Sequence, residues 1–208
     1  FVSPEVVTDS LEGAIEALSP LAPLHNPANL AGIRAARAAL PHLKHVAVFD
    51  TAFHHTLPEA ASTLAIPRDL AGQWGVRKYG FHGTSHSFVS RAASEMLGGE
   101  RTSHRIISLH LGNGSSAAAI KGGVCIETSM GFTPLQGLVM GTRSGDLDPS
   151  VVGFLNHNAD LTIAEVDALL NTESGLLGLA GTSDFRELSA LATSGDSDAL
   201  LALDVWGW

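Results

Sequence analysis

The chain has 208 residues, 45% of them hydrophobic and 16% charged, which suits one large domain or two small ones with a buried core and excludes general disorder. Its formal charge of -9 argues against a nucleic-acid partner, yet a local cluster of Arg, His and backbone N–H groups can still hold a phosphate. The one cysteine, Cys125, excludes an intrachain disulfide and fits a reducing, cytoplasmic setting; no apolar run reaches the roughly 18 residues of a membrane helix, and Phe1-Val2-Ser3-Pro4 lacks the basic region and methionine of a signal peptide. Both ends read as interrupted elements, Trp206-Gly207-Trp208 lying inside an amphipathic stretch. A fragment is therefore expected, with a processed domain as the alternative.

In chain order, Thr8–Leu18 reads as a helix with Leu11, Ile15 and Leu18 on one face. Asn26-Pro27 starts a second helix, with Asn as the cap and Pro at the first helical position, running to about Leu40. His45–Phe49 reads as a short buried strand ending at Asp50. A stretch rich in Pro and Gly then reads as loops, and the change in composition near residue 51 predicts a boundary between units 1–51 and 52–208. Thr84 or Ser85 caps a helix reaching Leu97, which Gly98-Gly99 stops. Arg105–Leu111, Ser115–Ile120 and Val124–Thr128 read as strands joined by Gly112-Asn113-Gly114 and Lys121-Gly122-Gly123. Beyond Pro149 the pattern is helical. A capping box, Thr162-x-x-Glu165, opens one helix, and two more are expected near Phe185–Leu191 and Asp198–Val205.

Gly112-x-Gly114-x-x-Ala117 matches the dinucleotide fingerprint in form only. That fingerprint needs strand, turn and helix, whereas a second strand follows here. The chain also lacks G-x-x-x-x-G-K-[ST], so it has no P-loop. A glycine hairpin can still cradle phosphate through successive N–H groups, with Asn113 and Ser115 adding donors; an ordinary Asn-Gly turn is the competing reading.

His82 and His86 stand four residues apart, a spacing that zinc can use, but no H-E-x-x-H is present. His82 beside a helix start suits a donor to an anion, while a satisfied structural role is favoured for His86. Arg143 lies between small residues in Gly141–Pro149, and its planar fork matches phosphate oxygens; a solvated turn arginine is the alternative. Asp50 ends a strand, where it suits proton transfer or a metal-bound water; a plain turn aspartate is the alternative.

Together these segments resemble the acetate kinase family, of the α/β, actin-like (ribonuclease H-like) ATPase fold. The resemblance rests on Leu21-Ala22-Pro23-Leu24-His25-Asn26-Pro27, Phe49-Asp50-Thr51-Ala52-Phe53-His54 and Tyr79-Gly80-Phe81-His82-Gly83-Thr84-Ser85-His86. It rests most specifically on His110-Leu111-Gly112-Asn113-Gly114-Ser115-Ser116 and on Gly131-Phe132-Thr133-Pro134 continuing through Gly141-Thr142-Arg143-Ser144-Gly145-Asp146-Leu147-Asp148-Pro149. It implies transfer of the ATP γ-phosphoryl group to acetate, giving acetyl phosphate and ADP, with Mg2+ as cofactor and a cytoplasmic homodimer as the assembly.

By the same resemblance Asp50, His82 and Arg143 are catalytic, and Asp50 reaches the metal through water. His110, Leu111, Gly112, Asn113 and Gly114 hold the ATP phosphates, while Asp184, Phe185 and Arg186 contact adenosine. Leu24, His25, Phe81 and Pro134 line the acetate pocket. The family's N-terminal strand, its Ser-rich phosphate loop, an upstream Arg, a later Gly-rich adenosine loop and a metal-binding Glu have no counterpart here. The stretch is thus an incomplete two-domain fragment, expected to be inactive alone and to hold no direct metal ligand. Propionate kinase, and a truncated non-catalytic nucleotide-binding or oligomerisation module, are the competing functions.

Overall fold

A computed structural model of the chain describes residues 1–22 and 25–208. Thr8 opens the first helix: its hydroxyl accepts from the Leu11 N–H at 3.2 Å, and α1 (Asp9–Ala17) follows. The next helix, α2 (Asn26–Ala39), is tied to α1 by Arg34, which pairs with Glu12 and Glu16, and by Arg37, which pairs with Asp9 and Glu12. Between them Leu11, Ile15 and Leu30 pack with Val7, Ile33, Ala47 and Phe49. Asn26 is not the acceptor cap predicted for it. It lies inside the helix and donates from Nδ2 to the Leu18 carbonyl at 3.2 Å, because the preceding turn brings that carbonyl within reach.

The strand expected over His45–Phe49 is reduced to β2 (Val46–Ala47), paired antiparallel with β1 (Glu5–Val6). It is not a buried strand, since Val46 and Val48 are 57% and 61% exposed. An apolar run looks alike whether both faces are covered or one, and here only the Ala47 and Phe49 face meets the helices. The Pro- and Gly-rich stretch contains a 3-10 turn (Ala52–Thr56) and two short helices, α3 (Glu59–Ser62) and α4 (Arg68–Trp74).

Helix α5 (Gly83–Leu97) begins earlier than Thr84 or Ser85 would allow as caps, and both lie in its first turn. Its capping groups come from Asp50, far back in sequence. The Gly83 N–H donates to the Asp50 carbonyl at 2.8 Å and the His82 N–H to Asp50 Oδ2 at 2.5 Å.

An antiparallel meander follows, β3 (Arg105–Leu111), β4 (Ser115–Lys121) and β5 (Val124–Thr128), with His110 opposite Ser116 and Leu111 opposite Ser115. Its covered face places Ala118, Ile120 and Cys125 against Leu57 and Phe53. Side chains on β3 alternate unusually: Ser108 is buried and His110 half-buried, whereas Ile107, Leu109 and Leu111 are exposed.

After Pro149 come α6 (Ser150–Asn158), α7 (Ile163–Thr172), α8 (Gly175–Ala180), α9 (Phe185–Thr193) and α10 (Ser197–Gly207). The capping box forms as expected, with Glu165 N–H donating to Thr162 Oγ1 at 3.3 Å and Thr162 N–H to Glu165 Oε2 at 2.7 Å. Leu176, Leu188, Ala199 and Ala202 build a third core among the last three helices. No described helix is long and apolar enough to cross a membrane.

Candidate active site

His82 adopts a left-handed backbone conformation, φ 58°, ahead of α5. For a non-glycine residue this costs roughly 1–2 kcal/mol. The Asp50 carboxylate offsets it, because a hydrogen bond to a charged acceptor contributes roughly 1.5–3 kcal/mol. Asp50 thus holds the His82-Gly83 peptide by two hydrogen bonds. A Cβ on residue 83 would lie 2.2 Å from the Asp50 carbonyl oxygen, so only glycine permits this approach.

The His82 ring stacks on His110, with centroids 4.0 Å apart, and His110 Nδ1 meets Ser85 Oγ at 3.0 Å. His82 Nδ1 meets Ser116 Oγ at 2.9 Å. Both nitrogens of buried His86 are engaged by hydroxyls, Nδ1 with Ser108 at 3.0 Å and Nε2 with Ser116 at 2.8 Å. The pair therefore does not form the zinc arrangement that its spacing allows. Behind them, buried His54 donates from Nε2 to the Phe81 carbonyl at 2.8 Å, and its Nδ1 lies 3.2 Å from Cys125 Sγ.

Arg143 arrives from the loop that follows β5. Its Nη1 donates to the Pro134 carbonyl at 3.2 Å. Among the described residues it makes no ion pair, although it is half-buried, and burial draws its pKa below the usual guanidinium range. A Cβ built on Gly114 would lie 3.3 Å from Arg143 Nη1 and 3.3 Å from His82 Nε2. Strand register and loop thus bring His82, Gly114 and Arg143 to one point. A side chain at 114 would crowd both groups, which would have to give by a few tenths of an ångström; the φ of Gly114 is not positive. The hairpin also differs from an open nest, since the Gly112 N–H donates to the Gly114 carbonyl at 3.1 Å. In the complete polypeptide we expect Gly114→Ala to lower any turnover at this site about 10-fold through displacement of these two side chains, with an unchanged melting temperature. Steady-state kinetics and calorimetry check this.

A model of the Acetokinase family matches residues 1–207. The chain belongs to that family. It is 56% identical over 206 residues to the acetate kinase of Clavibacter sepedonicus, covering 99% of this chain and 52% of the relative. Against the acetate kinase of Staphylococcus aureus (strain JH9) it is 56% identical over 207 residues, with the same two shares, 99% and 52%. A solved propionate kinase from Francisella tularensis superposes with a TM-score of 0.96 at 46% identity, covering 99% of this chain and 53% of that one. The acetate kinase of Porphyromonas gingivalis superposes with a TM-score of 0.93 at 46% identity, covering 99% and 52%. The chain spans about half the length of the curated relatives it matches. Its fold is the α/β, actin-like ATPase fold, as the motifs implied.

In this acetokinase-family chain the other predicted residues fall in several places. Asn113 reaches the Arg143 loop, its carbonyl accepting from the Gly141 N–H at 2.9 Å, and Gly141 also abuts Ser183, next to Asp184. Asp184 caps α9 and pairs with exposed Arg186 at 2.9 Å; that hydrogen bond leads the causes that lower the Asp184 pKa to about 2. Phe185 packs edge-on to Trp206. Phe81 and Pro134 meet the cluster through their carbonyls, whereas the Leu111 side chain projects from the exposed sheet face. His25 precedes α2, and no hydrogen bond among the described residues joins it to the cluster. Leu24 lies outside the described residues. Sequence reasoning missed Ser85, Ser108 and Ser116. Strand alternation, which puts Ser108 and His110 on one face, was the available signal.

Burial, with the charge of neighbouring histidines behind it, lowers the pKa of His82 and of His86 from 6.5 to about 4. Burial also lowers that of His54. Between pH 6.5 and 4 the unfolded chain therefore binds more protons than the folded one, so stability falls as the pH drops through that window. The urea midpoint is expected to be lower at pH 5 than at pH 7. Equal midpoints would contradict the neutral cluster.

Proposed function

We propose that the complete polypeptide transfers the γ-phosphoryl group of ATP to acetate, reversibly, giving acetyl phosphate and ADP. The observation that carries this reading is Arg143, a half-buried cation without an ion-pair partner among the described residues, set beside His82 above a bare glycine. A desolvated charge is costly unless it is matched, so such a guanidinium is built to receive an anion. In-line phosphoryl transfer spreads charge over the equatorial oxygens, and catalysis is mainly positioning and electrostatic stabilisation. Arg143 supplies two parallel donors for those oxygens, and His82 supplies a third from its ring.

Asp50 aligns His82, and its remaining lone pairs suit a water on Mg2+. One carboxylate fits a cation that keeps several waters and otherwise binds substrate phosphates. Mg2+, when bound, neutralises charge on the phosphates. On this reading the hairpin His110-Leu111-Gly112-Asn113-Gly114 is assigned to the phosphates, Asp184–Arg186 to the adenosine, and Leu24, His25, Phe81 and Pro134 to the acetate. The same reading divides the chain into lobes at 1–51 and 52–208, with Asp50 reaching across to His82, and makes the complete protein a cytoplasmic homodimer.

The likeness to a solved propionate kinase favours propionate as the second substrate to test. One methylene is worth only about 10- to 200-fold in a hydrophobic pocket. The test is ATP-dependent acyl phosphate formation by the complete polypeptide with acetate and with propionate. A higher kcat/KM for acetate supports the proposal, a higher value for propionate supports the second reading, and no product with either acid overturns both.

A further inference from the structure

Three contacts behind His82 form a line. Ser108 Oγ meets His86 Nδ1 at 3.0 Å, His86 Nε2 meets Ser116 Oγ at 2.8 Å, and Ser116 Oγ meets His82 Nδ1 at 2.9 Å. Ser108 and His86 are buried, and Ser116 is fully enclosed. Each hydroxyl has one proton, and a neutral imidazole donates from one nitrogen and accepts at the other. Two continuous directions are therefore open.

If His82 Nδ1 carries the proton, donation runs inward. Ser116 then donates to His86 and His86 to Ser108, and the Ser108 hydroxyl proton is left without an acceptor, because Ser108 Oγ makes no other hydrogen bond among the described residues. A buried orphan donor costs roughly 1–3 kcal/mol. If donation runs outward, Ser108 donates to His86 Nδ1, His86 Nε2–H to Ser116, and Ser116 to His82 Nδ1. Every buried proton is then used, and the one donor left over is His82 Nε2–H. That nitrogen lies beside the point shared by Gly114 and Arg143.

We propose that Ser108, His86 and Ser116 are positioning residues that hold His82 in the Nε2–H tautomer, as a donor aimed at the anion position beside Arg143. The hydrogen-bond direction stands on the geometry alone, while its effect on turnover rests on the phosphoryl-transfer reading. Register makes the relay possible: Ser116 lies opposite His110 in the sheet, and His82 and His86 lie one helical turn apart, so both rings reach one hydroxyl.

The test uses the complete polypeptide labelled with [15N]histidine and long-range 1H–15N correlation spectra near pH 7, with His82→Gln and His86→Gln used to assign the two rings. Expected are a protonated Nε2 and a bare Nδ1 on both. A protonated Nδ1 on either ring overturns the relay. Ser116→Ala should replace the single His82 tautomer by a mixture and lower kcat about 10-fold, as loss of a partner that orients a functional imidazole does, with KM for ATP within about twofold of the parent. Ser108→Ala, one step further back, should shift the His86 signals in the same sense and keeps the test open if the first variant does not fold. An unchanged His82 spectrum in a folded Ser116→Ala protein also overturns it. If the parent shows the expected tautomers but makes no acyl phosphate, the relay stands and the kinase reading fails.

Discussion

If the complete polypeptide works as proposed, replacing Arg143 with alanine is expected to lower its kcat for acyl phosphate formation about 10²-fold or more, the usual cost of removing a charge-stabilising donor. The size follows from the surroundings. Arg143 is half-buried, its Nη1 is anchored on the Pro134 carbonyl, and among the described residues no ion pair competes for its charge. Developing negative charge in a partly desolvated site is stabilised more strongly than it would be in water. Arg143→Lys should recover only part of the loss, because an ammonium offers a point charge in place of a fork. Steady-state rates with acetate and ATP measure this. A kcat within a few-fold of the parent for Arg143→Ala would sink the role.

In the complete polypeptide, on the same proposal, His82→Ala should lower kcat by about 10²-fold while KM for ATP stays within about threefold, the pattern of a group that acts mainly in the transition state. The structure gives the reason for the split. One nitrogen of the ring is held by Ser116, one face is stacked on His110, and Nε2 lies at the position shared with Arg143. Such a group is pre-aligned and loses little entropy as charge develops. The backbone at φ 58° suits alanine no better than histidine, so the variant loses the ring without gaining a relaxed helix start. An equal loss in ATP affinity would reassign His82 to simple nucleotide contact.

Local elements were legible because their causes lie within a few residues of one another. The Thr162–Glu165 box and the Gly112-Asn113-Gly114 hairpin both formed where expected, whereas α2 starts one residue early, at Asn26, which puts Pro27 second in the helix. The α5 start was misplaced because its capping partner, Asp50, is 32 residues away. The His45–Phe49 run reads as a buried strand because composition does not say how many of its faces are covered. On β3 a reading by hydropathy would bury Ile107, Leu109 and Leu111, yet Ser108 and His110 turn toward α5.

The candidate site divides in the same way. Sequence alone picked out His82, Gly114 and Arg143, since residue type and motif order carry chemistry that does not depend on packing, and it placed the chain in the right family. Only the tertiary structure decided that these three share one point, that Asp50 braces the His82 backbone, and that Ser116 and His86 stand behind the ring. Those are contacts between residues some 30 apart or more, set by strand register and helix placement, and no local pattern in the chain encodes a distance of that kind.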